Sequence, residues 1–201
     1  MTKTDLIIAE SVKTPRSTVL TDAAIRVLAE SGSRGLTHRA VDHEAKLPEG
    51  STSNLFRSRA ELMSAILDAH VEREFGLMDG VGAMNSVETI EEAADLIATV
   101  IKLLSSDESR FLITARYEIY LEGLRQEPFQ PLISKVRARF IAVMTGILGD
   151  LKLPKNKYVA EGCASFIDGL TAAEVFHPGS ALSKSQLKTL IAAFLNGLKA
   201  L

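Results

Sequence analysis

The stretch Leu36-Thr37-His38-Arg39-Ala40-Val41-Asp42-His43-Glu44-Ala45-Lys46-Leu47-Pro48-Glu49-Gly50-Ser51-Thr52-Ser53-Asn54-Leu55-Phe56 decides how this chain is read. Thr37 is a good N-cap for a short helix running through Val41 to about Ala45, because its hydroxyl can accept an orphan amide of the first turn. Pro48 cannot continue a helical ladder and pushes Leu47 out of helical geometry, so Lys46 to Gly50 is a tight turn. Ser51 to Phe56 then leaves room for only a second short helix. A longer helix comes before both: from about Thr18, the residues Val19, Leu20, Ala23, Ala24, Val27 and Leu28 make one apolar stripe, with Gly32 placed where a left-handed residue stops a helix. Three helices, the last two short and joined by a tight turn, have the sequence form of a helix-turn-helix.

Working outward, Ser58 and Glu61 have capping-box spacing and open a fourth helix with Leu62, Ile66 and Ala69 on one face, expected to run to about Phe75. Gly76 to Asn85 carries three glycines and breaks the pattern between an N-terminal unit and the remainder. Beyond it, apolar residues recur at three- and four-residue spacing, which predicts helices near 86–104, 107–126, 131–151, 155–176 and 183–199, the last opened by a Ser183/Gln186 capping box. No convincing strand is present, so the fold class is all-α. We divide the chain into residues 1–57, an N-terminal arm (1–15) with a helix-turn-helix DNA-binding domain, and residues 58–201, a helical ligand-binding and dimerisation domain.

Composition narrows the function. With 201 residues, 46% of them hydrophobic, the chain can bury a real core. Basic and acidic residues nearly balance at 23 against 25, so any nucleic-acid surface must be local. Between Arg16 and Ala60 there are seven Lys or Arg against five acids, a net +2 within a chain of net −2. That asymmetry has the sign phosphate contact requires. The lone cysteine, Cys163, excludes an internal disulfide framework and fits a reducing cytoplasm. No sustained apolar run suggests a membrane span.

The same residues resemble the TetR-type one-component transcriptional regulators. Ala24-Ile25-Arg26-Val27-Leu28-Ala29-Glu30-Ser31-Gly32 is similar to that family's first helix and Leu36 to Ala45 to its second. Leu47 to Phe56 is similar to its turn and recognition helix, and Ser58-Arg59-Ala60-Glu61-Leu62 to the start of its fourth helix. Ala164-Ser165-Phe166-Ile167-Asp168-Gly169-Leu170 is a weaker echo of its penultimate, dimer-forming helix. Ser53 stands where a tyrosine is usual, Leu55 where Tyr or His is common, Arg57 for a frequent Pro and Arg59 for a usual Lys. These departures bear on the operator sequence. The resemblance implies a ligand-responsive DNA-binding regulator, repression at a palindromic operator, and release by an unknown small-molecule effector.

On this reading Ser51, Thr52, Ser53, Asn54 and Leu55 face base edges. Their small polar groups let the backbone approach the groove, with Asn54 suited to adenine and the Thr52 methyl to a thymine methyl. Thr37, Arg39, Arg57 and Arg59 lie at helix starts or flanks and are assigned to phosphates. The plainer alternative is that Ser51 and Thr52 only cap a helix and that the arginines are solvated. Wide apolar stripes on the last two helices (Val159, Cys163, Phe166, Ile167, Leu170; Leu187, Leu190, Ile191, Phe194, Leu195, Leu198) point to a homodimer, or else to intramolecular core. Arg116, Tyr117 and Tyr120, with Glu118, interrupt an apolar stretch and are candidates to orient a ligand, against the alternative of a paired surface. Met63, Met78, Met84 and Phe140 are candidate cavity walls.

No cofactor and no metal site is expected. His38, His43, His70 and His177 form no ligand spacing, and His70 with Glu74 reads as a surface pair. Nothing supports catalysis. The rival class is a helical small-molecule-binding or scaffolding dimer that does not bind double-stranded DNA.

Overall fold

The computed structural model describes residues 15–82 and 85–201, and over them nine α-helices and no strand. The expected arm over residues 1–15 lies, but for Pro15, outside the described residues, as does Met84. Helix α1 (Arg16–Gly35) carries the predicted stripe, with Leu20, Ala24, Ile25 and Leu28 buried. Gly32 has φ +64°, as its position suggested, but one further helical turn follows the kink to Gly35. Helix α2 (His38–Glu44) is capped by Thr37, whose Oγ1 accepts from Ala40 N, and α3 (Ser51–Leu55) follows a turn through Pro48 and Gly50.

Helix α4 (Arg59–Gly80) is capped by Ser58 and runs a turn further than the sequence suggested. The glycines at 76 and 80 lie inside it, because the neighbouring Phe75 and Met78 are buried and hold this part of the helix against the core. The rest is α5 (Ile90–Leu104), α6 (Arg110–Arg125), α7 (Gln130–Asp150), α8 (Lys157–Phe176) and α9 (Lys184–Gly197). The capping boxes Thr89/Glu92 and Ser183/Gln186 are both formed.

Two apolar clusters organise these helices. One joins α5, α7, α8 and α9 through Ile97, Ile101, Leu148, Cys163, Leu187 and Ile191. The other joins α1, α2 and α4 to α6 and α7: Leu20, Leu28, Val41 and Ile66 share it with Leu112, Ala115, Ile119 and Val136. The apolar core therefore does not stop at residue 57, and the three-helix head sits directly on α6.

A buried ionic chain crosses the second half of the molecule. Arg116 on α6, 4% exposed, donates from Nη1 to Glu74 Oε1 on α4 at 2.6 Å and from Nη2 to Asp168 Oδ1 on α8 at 2.7 Å. Glu74 Oε2 also takes a 3.1 Å hydrogen bond from His70 Nε2. The expected surface pair of His70 and Glu74 is corrected here: both are fully buried, since α4 lies between α6 and α7 and turns this face inward. Burial pushes the Glu74 carboxyl up, but Arg116 beside it and the His70 hydrogen bond pull it further down, and it ends below the ordinary carboxylate value.

Removing one partner of a buried ion pair strands the other. Glu74→Gln is expected to cost about 3 kcal/mol in urea denaturation at pH 7. Because the folded carboxyl lies below its unfolded value, its contribution is present above the unfolded carboxylate range near pH ~4.3 and is lost as pH falls through the folded value. The variant should therefore show a flatter acid limb than the parent.

Candidate nucleic-acid interface and ligand cavity

The recognition helix is held by a residue that the sequence reading did not single out. Asp42 on α2, buried, accepts from Gly50 N at 2.8 Å, from Thr52 N at 2.7 Å and from Thr52 Oγ1 at 2.5 Å. One carboxylate of α2 thus takes up the orphan amides at the start of α3, a cap supplied from another helix. Burial opposes its charge, but the hydrogen bonds from Thr52 and Gly50 and the nearby His38 outweigh it, and its carboxyl sits below the ordinary value. Gly50 at φ +91° brings its amide round to Asp42. The signal for this cap was an acid eight and ten residues ahead of the two amides, a spacing no local motif records.

This geometry divides the five expected base readers. Thr52 is fully buried and its hydroxyl is given to Asp42, so its methyl is not available to a thymine; it positions the helix. Ser51 is corrected likewise: it is buried, its hydroxyl donates to Pro48 O at 2.5 Å and accepts from Arg16 Nη2 at 2.6 Å. Neither hydroxyl caps α3, so the plainer alternative fails for both as well: the cap is Asp42, and Ser51 and Thr52 tie the start of the helix to the turn and to α2. Ser53, Asn54 and Leu55 are exposed, and Leu55 at 46% is an apolar side chain left in solvent.

Among the phosphate candidates, Thr37 is exposed at the start of α2, and Arg39 is exposed and makes only a surface pair with Glu49 at 3.1 Å. Arg57 is exposed, its backbone amide donating to Glu61 Oε2. Arg59 is different. Its Nη1 donates to Leu36 O, and its Nη2 to Ser33 O, to Ser33 Oγ and to Glu122 Oε1 on α6. The expectation of a phosphate contact is therefore corrected: the guanidinium closes the last turn of α1 against α6. Glu122, buried, also accepts from Ser33 Oγ at 2.6 Å, and Glu118 accepts from Ser33 N at 3.2 Å. An added Cβ at Gly32 would come within 3.4 Å of the Glu118 carboxylate.

On the far side of α6 a cavity of about 60 Å³ lies between α4, α5, α6, α7 and α8. Arg116 and Tyr120 line it, with Phe140, Met78 and Met144 among the apolar wall. Tyr117 stands behind, its hydroxyl 3.4 Å from Asp168 Oδ2 and its ring edge-on to Phe176. Of the other expected wall residues, Met63 is in the head's core instead. Burial, with Asp168 and Glu74 nearby and Arg116 opposing, pushes the Tyr120 hydroxyl up to about 12, so it stays a neutral donor. Among the described residues no group of three or more His, Cys, Asp or Glu is placed to hold a metal ion, and no helix is long and apolar enough to cross a membrane.

Residues 88–198 match the family model for the tetracyclin repressor-like C-terminal domain, which is more than half of the chain. The chain belongs to the TetR family. It is a ligand-responsive DNA-binding transcriptional regulator, and the family is one of regulators, not enzymes. It is 28% identical over 152 residues, 75% of this chain and 77% of the relative, to the HTH-type transcriptional regulator BetI of Brucella anthropi. The multidrug-binding protein EbrR, in its complex with imidazole, superposes with TM-score 0.66 at 25% identity, covering 90% of this chain and 94% of that one. A TetR-family member from Streptomyces coelicolor superposes at TM-score 0.71 and 24% identity, covering 90% and 98%.

Three substitutions separate holding the head from touching DNA. Asp42→Ala leaves three donors without a partner and should cost about 3 kcal/mol in thermal or urea unfolding. Arg57→Ala should flatten the salt dependence of DNA binding by about one unit of slope, whereas Arg59→Met should lower stability by about 2 kcal/mol and leave the slope unchanged.

Proposed function

We propose that this chain is a cytoplasmic repressor that binds a palindromic operator as a homodimer and leaves it when a small molecule enters the cavity beside Arg116. The observation that carries the DNA half of the reading is a recognition helix capped by Asp42 with Ser53, Asn54 and Leu55 exposed. These three read bases; Thr37, Arg39 and Arg57 hold phosphates. Residues 1–57 do the reading and residues 58–201 the sensing and dimerisation.

The homodimer reading rests on α8 and α9. Gly162, Ser165, Gly169 and Ala173 make an exposed stripe of small residues between the exposed aromatic rings of Tyr158 and Phe176, and Leu190 of α9 is exposed. Small residues let a second helix approach closely, and a two-fold dimer doubles the few contacts one head makes. Nothing stands within 4 Å of a Cβ added at Gly169. Gly169→Arg is therefore expected to leave the monomer folded and to halve the mass measured in sedimentation equilibrium.

The sensing half rests on α6. EbrR has been crystallised with imidazole, malachite green, ethidium and proflavin, which supports a small-molecule effector here. Arg116, Tyr117 and Tyr120 orient that effector. A cavity of about 60 Å³ is smaller than drug-sized sites of roughly 300 Å³ and above. Occupation therefore displaces the wall. Arg116 at the cavity and Glu122 at the head lie on one helix, six residues or about 9 Å apart, so a moved α6 pulls on Ser33 and Arg59.

On operator duplex, Asn54→Ala should weaken binding by about 1–3 kcal/mol while leaving affinity for random duplex unchanged. Equal loss on both DNAs in a fluorescence-anisotropy titration would contradict the role given to Asn54. In cells, a reporter behind the operator should rise on deletion of the regulator; a fall would make it an activator.

A further inference from the structure

Among the described residues, three buried side-chain nitrogens have no hydrogen-bond partner: His38 Nε2, His70 Nδ1 and Arg116 Nε. An imidazole nitrogen can be the bare, accepting one of its ring, so the two histidines define no ligand chemistry. An arginine Nε always carries a proton and can only donate. Arg116 is 4% exposed, and its terminal nitrogens are engaged by Glu74 Oε1 at 2.6 Å and Asp168 Oδ1 at 2.7 Å. Those two ion pairs, to α4 and α8, fix the guanidinium plane, so Nε cannot turn toward an acceptor elsewhere. The residue lines the cavity between these helices. A buried donor without an acceptor is unfavourable, more so on a charged group, and a ligand that brings an acceptor relieves it.

The remaining wall limits what else that ligand carries. Its charged side chains are Glu74, Asp168, Arg116 and Arg137, two of each sign. Arg137 is turned to α8, where its Nη2 donates to Glu161 O at 3.3 Å and to Ser165 Oγ at 2.6 Å. A cation brought to the Nε edge meets a like charge there, and an anion meets Glu74 and Asp168, both bonded to the same guanidinium. An uncharged acceptor meets neither repulsion. Met78, Val100, Leu104, Phe140 and Ile167 make much of the wall apolar, and the Tyr120 hydroxyl on it stays protonated, raised by its burial. A carbonyl oxygen accepts and brings no donor of its own for apolar neighbours to leave unmet.

We infer that the cavity takes an uncharged molecule with an apolar or aromatic body and a carbonyl oxygen, which accepts from Arg116 Nε. This rests on the small-molecule reading above and adds the ligand's polar group and its lack of charge to it. Such a ligand leaves both ion pairs of Arg116 in place and grips α6 at the residue that ties it to α4 and α8.

The test is isothermal titration of the full chain with four probes of similar shape: acetophenone; α-methylstyrene, in which a methylene replaces the carbonyl oxygen; the anion benzoate; and the cation benzamidinium. Once the two neutral probes are corrected for their transfer from water to alkane, acetophenone is expected to bind at least about tenfold more tightly than α-methylstyrene. It is also expected to bind more tightly than either ion. In proton–nitrogen correlation spectra the Arg116 Nε–H resonance should move downfield with acetophenone and not with α-methylstyrene. Arg116→Lys, which keeps the charge and removes Nε, should abolish the carbonyl preference and still bind α-methylstyrene; should that variant not fold, the Nε resonance of the parent decides. Equal corrected affinities, an ion bound as tightly as acetophenone, or a carbonyl preference with the Nε resonance unmoved would overturn the inference and leave the small-molecule reading intact. Binding of none of the four would overturn both.

Discussion

A guanidinium placed 4% exposed in a helical core must be met by carboxylates, and the way Arg116 is met fixes three helices at once. Its two terminal nitrogens take Glu74 of α4 and Asp168 of α8, so α6 cannot slide past either neighbour without breaking a buried ion pair. The ion pairs add a directional constraint that apolar packing alone does not supply. At its other end the same helix presents Glu118 and Glu122 to the last turn of α1. Whatever enters the cavity therefore acts on a helix whose far end supports the DNA-reading head.

The head depends on a second carboxylate. A five-residue helix has almost no internal hydrogen bonding of its own, and its geometry comes from what holds its first turn. Asp42 supplies that hold by accepting from Gly50 and Thr52, and Arg16 adds a contact to Ser51. Ser51 and Thr52 have their polar groups engaged inward, which leaves Ser53, Asn54 and Leu55 as the exposed part of the helix. α2 and the first half of α3 are a mount that presents the second half to solvent.

Much of this was legible in the sequence, and the boundary of legibility has a physical cause. Local signals were reliable: Thr37, Ser58 and Ser183 cap the helices they were expected to cap, Pro48 makes the turn, and Gly32 takes a positive φ. Each of these depends on neighbours within four residues. Contacts made over longer separations were not legible. Arg59 looked like a phosphate contact, yet it closes on carbonyls 23 and 26 residues earlier and on a carboxylate 63 residues later. Similarly, nothing in the i,i+4 spacing of His70 and Glu74 told that Arg116, 42 residues on, would bury them. The candidate cavity residues Arg116 and Tyr120 were found because charge and aromaticity interrupt an apolar run, but Asp168, on a different helix, carried no such mark.

Regulation of this kind requires a two-headed protein that reads sequence. Selection from a random duplex-DNA library with the purified full chain at moderate salt tests this without knowledge of the regulated gene. Enrichment of an inverted repeat is expected, with half-site centres about one helical turn apart, or a multiple of it. Retention that is sequence-independent and falls away with salt would contradict it, leaving a helical ligand-binding dimer whose head no longer reads DNA.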